Sequence, residues 1–134
     1  MRELLNAAAE RASRYLEQLD QRGVAPSKRA VAALARLDEP LPEDPSDPSA
    51  VLAMLDELGS PATMAMAGRR FFGWVIGGSL PATVAANWLA AAWDQNAAGW
   101  QASPASAAFE QIALRWLLGV LGLDRKSTRL NSSH

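Results

Sequence analysis

The sequence predicts a mainly α-helical fold with one short extended segment, and three observations carry that expectation. Apolar residues recur at helical spacing near both ends of the chain, as Leu5, Ala8, Ala12, Tyr15, Leu16 and Leu19 and again as Ala105, Phe109, Ile112, Trp116 and Val120. Residues 80–93 form an almost wholly apolar run behind Pro81, a residue pre-set for the first position of a helix. Only residues 71–76, with Phe71, Phe72, Trp74, Val75 and Ile76, have the aromatic and β-branched composition of a buried strand.

The elements follow in order. A first amphipathic helix runs to near Gly23, with Arg11, Arg14, Glu17 and Gln18 on its outer surface. Ser27 is placed to cap a short second helix over residues 28–37, with Val31, Leu34 and Leu37 on one face. Pro40, Pro42, Pro45 and Pro48, mixed with Glu39, Glu43, Asp44 and Asp47, then predict an extended acidic strap. Asp47 and Pro48 supply an N-cap and a first helical residue for a third helix that carries Val51, Leu52, Leu55 and Leu58 and stops at Gly59. Met64 and Met66 read as adaptable packing, and Arg69 and Arg70 as either solvated or paired with an anion.

The strand expected at residues 71–76 ends at Gly77 and Gly78, where the backbone can turn tightly or let a ligand approach. The helix from Pro81 carries Val84, Trp88, Ala91 and Ala92 on one side and Ala85, Leu89 and Trp93 on another, so it is expected to be buried. Ser103 and Pro104 open the last helix, with Ser106, Glu110 and Gln111 on its polar side. Three regions are expected: helices and strap over 1–70, strand-turn-helix and last helix over 71–123, and a tail over 124–134.

Composition narrows the function classes. Five tryptophans and 49% hydrophobic residues in 134 exclude a disordered chain. A formal net charge of −1 without a basic run offers no footprint for nucleic acid. The apolar run at 80–93 is shorter than the ~20 residues that span a bilayer, and no secretory segment opens the chain, so no membrane partner and a cytoplasmic location are expected. With no cysteine, and with one histidine that is the last residue, no metal site is expected.

Three blocks, LPEDPSDPSAVLAMLDELG, GRRFFGWVIGGSLPATVAANWLAAAWDQN and SPASAAFEQIALRWLLGVLGL, stand in this order. Together they resemble the N-terminal part of the pyridoxal-phosphate-dependent group II amino acid decarboxylases, the family of the aromatic-amino-acid, glutamate, tyrosine and histidine decarboxylases. The resemblance spans roughly residues 34–123. It implies that the chain is the N-terminal helical segment of a type I, aminotransferase-like α/β fold, from a homodimeric carboxy-lyase. The parent would hold an amino acid as an aldimine on pyridoxal 5′-phosphate and release carbon dioxide.

In that family the extended stretch lines the substrate pocket, which implies substrate-binding roles for Trp74, Val75, Ile76, Gly77 and Gly78. The turn after the central helix reaches the neighbouring subunit's pocket, which implies a similar role for Asn96; from the residues alone Asn96 reads as a helix cap. The aromatic-amino-acid enzymes carry a hydroxyl residue and one more loop residue near Gly77, and this sequence departs from them there. The chemistry needs a lysine for the cofactor. Lys28 and Lys126 are the only two, and neither stands in the family's His-Lys context, so the chain alone is expected to be inactive. Residues 125–134, RKSTRLNSSH, lack apolar periodicity and resemble a sequencing-adapter read-through, or else a disordered tail. The competing expectation is a stand-alone helical interaction module without catalysis, its exposed apolar stripe serving partner helices.

Overall fold

The structure, a computed structural model, describes residues 1–123; Lys126, His134 and the adapter-like tail lie outside the described residues. It is mainly helical, in the order α1 (Arg2–Glu17), α2 (Lys28–Ala33) with a 3₁₀ turn Leu34–Leu37, α3 (Pro48–Met54) with a π turn Leu55–Gly59 and a 3₁₀ turn Ser60–Ala62, α4 (Pro81–Trp93) and α5 (Pro104–Leu121). The chain divides into two compact units between Ser79 and Leu80.

Helix starts lie where local chemistry puts them. The Ser27 hydroxyl accepts from the Ala30 N–H at 3.1 Å and the Asp47 carboxylate from the Ala50 N–H at 3.0 Å, each satisfying a donor that lacks an intrahelical partner. Proline occupies the first position of α3, α4 and α5. Thr83 Oγ1 accepts from the Leu80 N–H and donates to the Leu80 carbonyl, closing the first turn of α4.

In the first unit α1 packs against α3 and the segment that follows it. Only Leu19, Leu58 and Ala65 are buried apolar residues there, and burying one leucine contributes about 2 kcal/mol. Polar bonds therefore carry much of the closure. Arg22 donates to the carbonyls of Ser60 (2.9 Å), Pro61 (3.2 Å) and Thr63 (2.8 Å), while its guanidinium lies 5.4 Å from the Tyr15 ring centroid. The Tyr15 hydroxyl meets Thr63 Oγ1 at 2.8 Å, and the Ala65 N–H donates to the Val24 carbonyl at 2.9 Å.

Two expectations are corrected in this unit. The first helix stops at Glu17 and does not reach Gly23; the chain beyond it runs in turns, with Leu19 buried beside Gly68 and Arg70 donating to the carbonyls of Asp20 and Arg22. No strand exists at residues 71–76 or elsewhere among the described residues. Trp74 and Val75 instead adopt left-handed backbone with φ of 57° and 52°, and the Trp74 ring folds back edge-on to Phe71 with centroids 5.8 Å apart. A residue at positive φ cannot continue a pleated strand, and no neighbouring strand is present to pair with one.

In the second unit Asp94, at φ 46°, ends α4 in left-handed backbone. The Trp93 and Phe109 rings meet with centroids 6.5 Å apart. Gly122, at φ 63°, closes α5 with a Leu123 N–H to Leu118 carbonyl bond of 3.0 Å, the pattern of a Schellman cap. The expectation of a buried central helix fails. Among the residues of α4 only Val84 is partly covered, and Trp88, Leu89 and Trp93 are exposed, since two helices cannot cover both sides of a helix that is apolar all round. Ser103 also departs from the simple cap: it is 1% exposed, and its hydroxyl bonds the Ser106 hydroxyl at 2.8 Å, so Ser106 is half-buried and not a free polar-face residue.

Candidate functional site

The sequence-predicted site residues fall in different places. Trp74 and Val75 are exposed at the left-handed turn, with Val75 fully so. Ile76 and Gly78 line one open groove of about 490 Å³ with Tyr15, Leu16, Met64 and Met66. Gly77 does not line it, and a Cβ there would meet nothing within 4 Å. Gly78 has φ +103°, so this position is the one that requires glycine. Asn96 belongs to the second unit, where its Oδ1 accepts from the Ala98 N–H at 3.0 Å and so organises its own turn.

The groove is apolar apart from the hydroxyls of Tyr15, Thr63 and Ser79, and no lysine, histidine or carboxylate lines it. It suits an uncharged side chain. Nothing in it would bond a cofactor covalently or pair with a pyridine nitrogen. Lys28 is exposed at the start of α2 and lines neither this groove nor the polar cavity described next. This groove therefore does not fit pyridoxal phosphate.

A second, polar cavity of about 360 Å³ was not singled out by the sequence. Arg11, Arg14, Gln18, Gln21 and Arg22 from α1 and its extension face Asp56 and Ser60 across it. Arg11 Nη1 and Arg14 Nη2 both approach Asp56 Oδ2, at 2.8 and 3.3 Å, and the Ser60 hydroxyl donates to Oδ1 at 2.7 Å. The sequence reading left both arginines on the outer surface. Their i, i+3 spacing was the available signal, but the carboxylate lies 45 residues from Arg11.

The Ser60 hydrogen bond, opposed by desolvation and aided by Arg11 and Arg14, holds the Asp56 carboxyl below its ordinary value of 3.8. A carboxyl depressed on folding contributes stability that is complete above the unfolded value and is lost as pH falls through the folded one. Acid titration of the helical circular dichroism should accordingly show loss of stability beginning below about pH 3.8. Asp56→Asn should flatten that part of the profile. An unchanged profile in the variant would remove Asp56 from the account.

No family model, curated protein or solved structure matches the chain. Among the described residues no helix is long and apolar enough to cross a membrane.

Proposed function

We propose that this chain is the N-terminal helical segment of a pyridoxal-phosphate-dependent amino acid decarboxylase, inactive by itself. The observation that carries the reading is the order of three family-like blocks, whose helices start at Pro48, Pro81 and Pro104. The exposed apolar surface of α4 and α5 supports it, as helices that are apolar on their outer faces need further protein to cover them. The type I fold, the homodimer, the cytoplasmic location and the cofactor belong to the parent in this reading. In this reading the lysine that holds the cofactor is the parent's and is neither Lys28 nor Lys126. In the parent the segment Trp74 to Gly78 would line the pocket for an amino acid substrate, with Asn96 contributed across the subunit boundary.

The test is a longer reading frame that contains this segment and continues past Leu123 into a lysine-bearing domain. That protein, supplied with cofactor, should release carbon dioxide from an amino acid. Gly77→Val in it offers a clean probe, because a side chain at Gly77 meets no neighbour in this structure and the backbone there is not left-handed. Stability should be unchanged while turnover falls at least about tenfold, the order expected when a pocket wall is crowded. Unchanged turnover would remove Gly77 from the pocket. A frame with no lysine-bearing domain would favour the stand-alone interaction module instead, which the same exposed helix faces suit.

A further inference from the structure

We infer that the cavity between Arg11, Arg14 and Asp56 is a binding site for a small phosphate-bearing anion. Three guanidinium groups line it, and among the described residues one carboxylate, Asp56, answers them. Asp56 is already committed, since one oxygen takes both Arg11 and Arg14 and the other takes the Ser60 hydroxyl. Two positive charges are left over at a concave surface. Arg22 spends its donors on the carbonyls of residues 60, 61 and 63, so it holds the wall and adds to the field. Arg11 and Arg14 each use one terminal nitrogen on Asp56, leaving the rest of each fork for a ligand. A planar fork matches phosphate oxygens two at a time, and the bonds are charge-assisted.

Size and surroundings sharpen the class. The volume of about 360 Å³ exceeds that of one phosphate group, and Tyr15, Gln18, Gln21 and Pro61 complete the lining. A phosphomonoester with a small organic body fits this better than a bare ion. Arg11 is the more enclosed of the two arginines, with a side chain 27% exposed against 55% for Arg14. The inference does not rest on the decarboxylase reading, and none of Trp74, Val75, Ile76, Gly77 or Gly78 lines this cavity.

The experiment titrates the whole chain with inorganic phosphate and, separately, phenyl phosphate at constant ionic strength, reading heat of binding and the shift in melting temperature. Saturable binding of one equivalent is expected, with chloride at the same ionic strength giving none. Arg14→Gln, which keeps the Arg11 pair with Asp56, should weaken binding about tenfold, the effect of one charge-assisted contact. Arg36→Gln removes the same charge from the exposed turn Leu34–Leu37 and should leave binding unchanged. Tighter binding of phenyl phosphate identifies an ester as the occupant, and equal binding identifies the free anion. Equal weakening by Arg14→Gln and Arg36→Gln, no weakening by Arg14→Gln, or the same response to chloride overturns the site.

Discussion

Arg22→Ala should open the first unit, lowering its stability by about 2–4 kcal/mol, enough to abolish cooperative melting in a unit with so small an apolar core. The cause is additive in one place. The substitution removes donors from the carbonyls of Ser60, Pro61 and Thr63 and also takes the cation from the face of Tyr15. Arg22→Lys keeps the charge but not the fork, so it cannot serve all three carbonyls of the turn at residues 60–63, and it should recover less than half of the loss. Urea unfolding followed by circular dichroism measures both. A wild-type midpoint for Arg22→Ala would mean that Leu19, Leu58 and Ala65 close the unit without it.

The second large effect is self-association through the last two helices. Trp88, Leu89 and Trp93 on α4 and Phe109, Trp116, Leu117 and Val120 on α5 are exposed, Trp116 to 72%. Such a face is well beyond scattered single residues and drives association in water. Static light scattering should show mass rising with concentration, accompanied by binding of a hydrophobic dye. Trp116→Ser with Val120→Ser removes two neighbouring apolar side chains one helical turn apart. Each burial is worth about 1.5–3 kcal/mol, so association should weaken at least about tenfold with helix content retained. A monomer at every concentration, without dye binding, would show that the face is satisfied within the chain.

Legibility from sequence divides along the range of the forces involved. Ser27, Asp47, Pro48, Pro81 and Pro104 announced helix starts because a cap and a fixed φ act within one turn. The path after α1 was hidden because the carbonyls of Asp20 and Arg22, just beyond its end, are held by Arg70, 50 residues further from Asp20. Residues 71–76 carry strand composition, yet composition of that kind reports packing on a pleated neighbour, and without one Trp74 and Val75 turn left-handed. Periodicity in α4 signalled an apolar surface and was silent on what covers it. Of the residues the sequence singled out, Ile76 and Gly78 line a groove, whereas the arginine cavity depends on Asp56 arriving from the turn after α3 and could not be read from spacing.

The clamp made by Arg22 grips three main-chain oxygens and touches one side chain of the loop, the Thr63 hydroxyl at 3.4 Å. Every residue type offers the same carbonyl, so position 61 can drift in sequence without loosening the grip, as long as the backbone path persists, while Ser60 and Thr63 also serve through their hydroxyls. The burden of identity falls on the other partner. Substitutions accumulate unevenly under such an arrangement: Pro61 has wide latitude for any residue that keeps the turn, while position 22 has none, since no other side chain combines a permanent charge with a planar set of donors.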